Sequence, residues 1–347
     1  LKPFWLEAQV EAMVATARCA PFRWGGLSAE FLAQVFGLLG SCDLRAARAA
    51  DRTSLRGAEG PLARGVLRQL ASPDWAARLR SVRLLVKLAH RLGGSVATVA
   101  SALASLVADA DGRVREAAVN ALGSVAAGGA GIAALDGLVA QFGHSDGFVR
   151  TAAVGAVASI ANAGHCAAAA AAAGSRLAAQ EFEARAAAAE ALAGLGAAAS
   201  GHLPALVHCL EDDHPAVRHA ALKAVRRLTQ RGDTGSVLAL AVRLRDDTEP
   251  GLRQAAAAAL AQLAVPGDAG AVSALATAMA DGAWAVRKAS AEALGTVAAA
   301  GDTLACGALA ARLKLAEEHS LVRRAAEEAQ RRIMSTGPRE PRGRQKK

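Results

Sequence analysis

Apolar residues fall at helical spacing along most of this chain, and one pattern returns at a steady interval. An acidic or turn residue precedes a small apolar residue and Arg, then come a pair of small residues and Ala-Leu. The segment reads DGRVREAAVNAL from Asp111, DGFVRTAAVGAV from Asp146 and HPAVRHAALKAV from His214. It returns as EPGLRQAAAAAL from Glu249, AWAVRKASAEAL from Ala283 and HSLVRRAAEEAQ from His319. Weaker copies are DWAARLRSVRLL from Asp74 and EFEARAAAAEAL from Glu181. The aligned arginines are Arg78, Arg115, Arg150, Arg185, Arg218, Arg253, Arg287 and Arg323, separated by 37, 35, 35, 33, 35, 34 and 36 residues. That regularity is the mark of a repeat array.

The columns predict the elements. The residue before each Arg is Ala77, Val114, Val149, Ala184, Val217, Leu252, Val286 or Val322, and seven residues after it come Leu85, Leu122, Val157, Leu192, Val225, Leu260 and Leu294. Positions two, three, six and seven after the Arg share one helical face and are nearly all Ala or aliphatic. A second apolar helix precedes each copy, as in SVATVASALASLVAD from Ser95 or HLPALVHCLED from His202. A single pair cannot bury its own face, so neighbours must stack. The expected fold is an all-α solenoid of about eight helical pairs over residues 61–334. Asp74, Asp111 and Asp146 stand where the second helix needs an N-cap. In the last copy the stacking position becomes Gln330, as a terminal repeat without a following neighbour permits.

This pattern resembles the HEAT-like repeat of the phycobilisome-lyase type, over roughly residues 66–334. The resemblance implies a right-handed superhelix whose second helices line the concave face. It also implies a ladder between repeats built from the turn Asp and the Arg, which gives the eight arginines a structural role.

Composition sharpens this picture. The 347 residues are 53% hydrophobic but only 3% aromatic, with no Tyr, and Ala supplies much of the apolar share. Ala is the best helix former and lets backbones approach closely. Strand signals are missing. The net charge of +9 is uneven: from Arg331 onward the chain carries +6, and everything before it +3. Residues 335–347 therefore read as a disordered basic tail, able to touch nucleic acid or acidic lipid nonspecifically. Thr151 to Ser175 contains no charged residue, but Asn162, Gly164 and His165 interrupt a run made mostly of Ala, so no transmembrane span is expected there. The five cysteines, Cys19, Cys42, Cys166, Cys209 and Cys306, are scattered and odd in number, which fits a reducing compartment, cytoplasmic or nuclear. The chain begins at Leu1 rather than Met, so organellar import through a preceding segment stays open.

No cofactor and no catalytic residue is expected. The densest ionisable cluster is His202, His208, Cys209, Asp212, Asp213, His214 and His219. His208 and Asp212 could share a helix face as metal ligands, but the others fall at a helix end and turn, where Asp and His cap. Deoxyhypusine hydroxylase, a di-iron enzyme, resembles this chain in architecture and holds iron through His-Glu dipeptides; none occurs here. Phycobilin lyases share the repeat as well, without a residue here that assigns chromophore chemistry. A nucleic-acid groove is disfavoured too. The position five after each Arg reads Arg83, Asn120, Gly155, Glu190, Lys223, Ala258, Glu292 and Glu328, which mixes signs where a phosphate track needs one. Only His219, Lys223, Arg226 and Arg227 form a local basic stripe, a candidate surface for a protein partner on the concave face.

Residues 1–60 fall outside the period and read as a separate helical module. LSAEFLAQVFGLLGSCDLRAARAADRTSLRG from Leu27 resembles an F-box, with Leu27, Phe31, Leu32, Val35, Phe36, Leu38, Leu39, Asp43 and Leu44 in the family's places. Ser28 stands where Pro is usual, and Leu55 where Trp is common. The resemblance implies docking to the adaptor of a cullin-RING ubiquitin ligase through Leu27, Phe31, Leu32, Val35, Phe36 and Leu39. The same apolar residues would equally suit a helix pair that caps the first repeat.

Overall fold

The computed structural model describes residues 68–89, 96–126 and 131–335, and every regular element in them is helical. The fold is the expected all-α array of helical pairs. It divides into two compact units between Ala172 and Ala173. The first holds α1 (Trp75–Ala89), α2 (Val96–Ser105), α3 (Gly112–Val125), α4 (Gly131–Ala140) and α5 (Gly147–Ile160), and the division falls inside α6 (Cys166–Gly174). The second holds α7 (Phe182–Leu195), α8 (Leu203–His208), α9 (Pro215–Leu228), α10 (Thr234–Asp246), α11 (Pro250–Leu263), α12 (Ala269–Ala278), α13 (Trp284–Val297), α14 (Thr303–Leu313) and α15 (Ser320–Ser335). Residues 1–67 lie outside the described residues, and so do 90–95, 127–130 and 336–347. The F-box-like segment, the capping alternative and the basic tail therefore fall outside them.

Odd-numbered helices carry the Arg motif, and they stack on one another. In the first unit α3 packs between α1 and α5, while α2 packs on α4. In the second, α7, α9, α11, α13 and α15 pack in succession, with α10, α12 and α14 forming the other row. Two columns explain why. The residues seven after each Arg, Leu85, Leu122, Val157, Leu192, Val225, Leu260 and Leu294, are all 0% exposed. Each such side chain contributes about 1.5–3 kcal/mol on burial. Three after each Arg stands Ser81, Ala118, Ala153, Ala188, Ala221, Ala256, Ser290 or Ala326, also fully buried. The column holds only Ala and Ser, so side-chain bulk is kept out of this buried seam.

The apolar stretch Gly147–Gly174 is the one among the described residues long enough to cross a membrane by length and composition. It is not one straight helix. Gly164, at φ 106°, breaks it between α5 and α6, and Val149, Ala153, Ala156, Val157 and Ile160 are buried.

Three turns in the second unit share a Gly-Asp pair that the sequence reading missed: Gly232-Asp233, Gly267-Asp268 and Gly301-Asp302. Each Gly has positive φ, which favours glycine, and its N–H donates to a carbonyl of the following Arg-motif helix: Leu263 at 2.8 Å, Val297 at 2.7 Å and Ile333 at 3.2 Å. Each Asp then caps the next helix, accepting from Ser236, Ala271 or Ala305 N–H at 2.8–2.9 Å.

Candidate functional site

The Arg column lies at the start of the odd-numbered helices. Asp74, Asp111 and Asp146 cap α1, α3 and α5 as expected, accepting from Ala76, Arg113 and Phe148 N–H at 2.8–2.9 Å. His214 does the same for α9 through Nδ1, at 3.2 Å from Ala216 N. One turn into each helix the guanidinium folds back. Arg78 Nη1 donates to Ser72 O and Pro73 O, at 2.7 and 3.1 Å, and its equivalents through Arg287 repeat this grip on two turn carbonyls. These bonds satisfy carbonyls that the turn would otherwise orphan.

The opposite edge, Nε and Nη2, faces the next repeat. Arg78 clasps Asp109 at 2.6 and 2.8 Å, Arg185 clasps Asp212 at 2.6 and 2.9 Å, and Arg218 clasps Asp247 at 2.8 and 3.0 Å. Arg253 holds Asp281 at 2.7 and 3.0 Å, and Arg287 holds Glu318 at 3.0 and 2.5 Å. Such two-pronged pairs add geometry to charge. The acid that closes a rung is not the cap. In the four Asp rungs it stands two residues before the cap position, and its Oδ1 also accepts the N–H of that position, for example Asp111 N to Asp109 at 2.8 Å. Asp109, Asp247, Asp281 and Glu318 were not singled out from sequence, and Asp212 was read only as a candidate ligand.

Three of the eight arginines close no rung. Arg323, in the last repeat, donates to the carbonyls of Leu313, Leu315 and Ala316. Arg115 and Arg150 keep the grip on the turn but take part in no ion pair among the described residues. At the acceptor position facing Arg115 stands His144.

Electrostatics follow this division. For Asp212, Asp281 and Glu318, burial works hardest against ionisation. Hydrogen bonds from the paired Arg and from a backbone N–H outweigh it and hold each carboxyl below its ordinary range. Hydrogen bonding to Asp109 raises the Arg78 guanidinium.

On the exposed face of α9, His219, Lys223, Arg226 and Arg227 all reach solvent, and none pairs with an acid among the described residues. Of the two helices packed beside α9, α7 exposes Glu190, whereas α11 carries no acid; the next exposed acid in the row, Glu292 on α13, already pairs with Lys288 at 2.9 Å. The stripe is thus a local basic patch on one helix.

The His/Cys/Asp cluster does not converge. Asp212 is held by Arg185, His214 caps α9 and stacks on Phe182 with ring centroids 3.5 Å apart, and Cys209 is buried, which pushes its thiol up. Among the described residues no group of three or more His, Cys, Asp or Glu is placed to hold a metal ion.

Comparison with known proteins agrees with this architecture. The sequence pattern of HEAT repeats matches residues 63–165, 170–261 and 237–331. No curated protein matches the chain. Among solved structures, Escherichia coli YibA is similar at 17% identity and TM-score 0.46, covering 84% of this chain and 96% of that one. A structure from work on microtubule plus-end tracking by XMAP215, CLIP-170 and EB1 is similar at 18% identity and TM-score 0.40, covering 57% and 90%. Human deoxyhypusine hydroxylase in complex with glycerol is similar at 20% identity and TM-score 0.32, covering 79% and 96%.

Proposed function

The chain belongs to the HEAT-repeat family, and from that premise we propose that it is a non-catalytic scaffold that binds protein partners along the exposed face of its Arg-motif helices. One observation carries this reading. His219, Lys223, Arg226 and Arg227 stand exposed and without acids on α9, in a row of helices that exposes Glu190 on α7 and Glu292 on α13. A face of mixed sign suits a protein surface better than a polyanion. The test is affinity capture from the source cells with the intact chain and with Lys223→Glu/Arg227→Glu. A partner captured stoichiometrically by the first and lost by the second supports the scaffold. Stoichiometric metal in the purified protein, with hydroxylase turnover, overturns it in favour of an enzyme.

A second reading rests on the sequence pattern from Leu27 to Leu44. If that segment is an F-box, the chain is a substrate receptor: Leu27, Phe31, Leu32, Val35, Phe36 and Leu39 dock the adaptor of a cullin-RING ligase, and the repeats hold the substrate. Replacing Phe36 and Leu39 with Asp in the full chain separates this from a cap. A receptor loses the adaptor and keeps the melting transition of its repeats. A cap loses the transition.

A further inference from the structure

We propose that Arg115 and Arg150, with Phe148 between them in sequence, form a docking site for an acidic segment of a partner protein, whose carboxylates are clasped by the two guanidinium forks. The proposal rests on the scaffold reading above and names a site that the α9 stripe does not include.

The molecule itself shows what this fork takes. In five repeats the Nε/Nη2 edge of the same Arg clasps a carboxylate of Asp or Glu. Arg115 and Arg150 are oriented alike. Arg115 Nη1 grips Asp109 O and Ala110 O at 2.8 and 3.1 Å, and Arg150 Nη1 grips His144 O and Ser145 O at 2.7 and 2.9 Å. Their clasping edges meet no acid among the described residues, although both side chains are half-buried. Carbonyls satisfy one edge of each guanidinium but supply no counter-charge, and a carboxylate arriving in two-pronged geometry at the other edge provides it.

The reason for the vacancy at Arg115 is chemical. His144 occupies the acceptor position, and its Nδ1 accepts the Asp146 N–H at 3.0 Å, as Asp Oδ1 does in the closed rungs. The turn is therefore preserved. An imidazole that accepts at Nδ1 carries its hydrogen on Nε2, so it offers a donor to a guanidinium and no negative charge. For Arg150 the equivalent sequence position is Ala179, which has no acceptor side chain at all.

Access points the same way. The first helical residue in the closed rungs is Trp75, Phe182, Pro215, Pro250 or Trp284, whereas α3 and α5 open with Gly112 and Gly147. A Cβ there would lie 3.5 Å from Arg115 Nη2 and 3.4 Å from Arg150 Nη2, so the bare glycines leave both guanidiniums uncovered. Phe148 is 74% exposed, with the Arg115 Cζ 5.9 Å from its ring centre. An exposed aromatic near one arginine without an ion-pair partner, and two residues before another in sequence, is the composition of an interface anchor. Because α3 and α5 pack directly, their axes lie about 8–10 Å apart. An extended peptide advances about 3.3 Å per residue, so two acids two or three residues apart reach both forks, with an apolar residue between them on Phe148.

The experiment uses the full chain and a fluorescein-labelled synthetic octapeptide carrying two Glu three residues apart with Leu between them, followed by anisotropy at low salt. Its control replaces both Glu with Gln. The Glu peptide should bind at least tenfold more tightly than the Gln peptide. Arg115→Gln/Arg150→Gln should remove that preference, and Lys223→Glu/Arg227→Glu should leave it intact. The decisive variant is His144→Asp, which supplies the missing carboxylate from within the chain. It should raise the melting temperature and weaken the Glu peptide, a combination that a merely structural role for Arg115 does not produce. Equal binding of the two peptides, undiminished binding by the arginine pair variant, or undiminished binding by a stabilised His144→Asp overturns the proposal. If the preference instead vanishes only in the α9 variant, this site falls while the scaffold reading stands.

Discussion

The repeats before Ala172 and those after Ala173 use the same helices and the same Arg column, yet they are fastened differently. After Ala173, Arg185, Arg218, Arg253 and Arg287 all close rungs, and three Gly-Asp turns add a backbone bond to the neighbouring repeat. Before Ala172 the described residues close one rung, Arg78–Asp109, and the turn after α5 reaches back through His165 Nε2, 2.9 Å from Ala126 O. The buried columns are equally complete in both units. Apolar periodicity therefore specifies the fold, while polar contacts along the turn edge set how firmly each repeat is held. Where those contacts are missing, hydrogen-bonding capacity is left over for something else.

The largest expected contrast comes from removing the same residue in each unit. The Arg218 side chain is 10% exposed, and that of Asp247 is 0%. Arg218→Ala leaves the Asp247 carboxylate buried and unpaired, so it should cost about 3–5 kcal/mol. Arg115→Ala breaks no ion pair and loses only the two bonds to turn carbonyls, so it should cost about 1–2 kcal/mol. Urea unfolding midpoints measure both. Comparable losses would mean that the closed rungs add little and that the contrast between the units is one of appearance.

Core contacts should not follow that contrast. Leu260, fully buried in an Ala-rich helix, has neighbours with little side chain to fill its space, so Leu260→Ala should cost about 2–5 kcal/mol. Ala258→Ser, half-exposed on the same helix, should shift stability by about 0.5 kcal/mol or less. Equal melting shifts would show that the helix face is misassigned. Ser81 and Ser290 give a smaller comparison in the small-residue column. Ser81 Oγ donates to Ala77 O at 3.0 Å, whereas Ser290 Oγ is buried with no partner among the described residues. Ser290→Ala should stabilise by about 1 kcal/mol, and Ser81→Ala should not stabilise. Thermal scans distinguish the two.

Much of this was legible in the sequence. The period, the buried columns and the Asp caps at positions 74, 111 and 146 follow from spacing alone, because helix geometry converts spacing directly into burial. The rungs were not, because two acids compete for the description of a turn Asp. Asp109 and Asp111 stand two residues apart, and only the folded structure shows that the first clasps Arg78 while the second caps α3. With the acceptor column unknown, His144 and Ala179 carry no visible meaning, so the vacant forks stayed hidden. The Gly-Asp pairs at 232, 267 and 301 recur at 35 and 34 residues and were available to a second search for periods. Phe148 follows a helical pattern that gives no hint of its 74% exposure.

Acid should reveal the same asymmetry with the smallest amplitude. Asp212, Asp281 and Glu318, all after Ala173, are held below the ordinary carboxylate range even though burial opposes their ionisation. A group that binds its proton less readily folded than unfolded adds stability above its unfolded pKa, and that stability is lost as pH falls through the folded value. With unfolded Asp and Glu titrating near about 4, the contribution is complete at neutral pH and fades from about pH 4 downward. Before Ala172, Asp111 is lowered to about 2 by its hydrogen bond from Arg113, but the pair is open to water and screening leaves it little effect on stability. Hydrogen exchange, expressed as protection factors to remove the intrinsic pH dependence, should therefore show α9, α11 and α13 losing more protection than α3 and α5 between pH 6 and pH 3.5. Burial, which opposes ionisation of these carboxyls, keeps the difference modest. Equal losses in the two sets of helices would mean that the rungs titrate without regard to folding, and the ladder would then be a consequence of stacking rather than one of its supports.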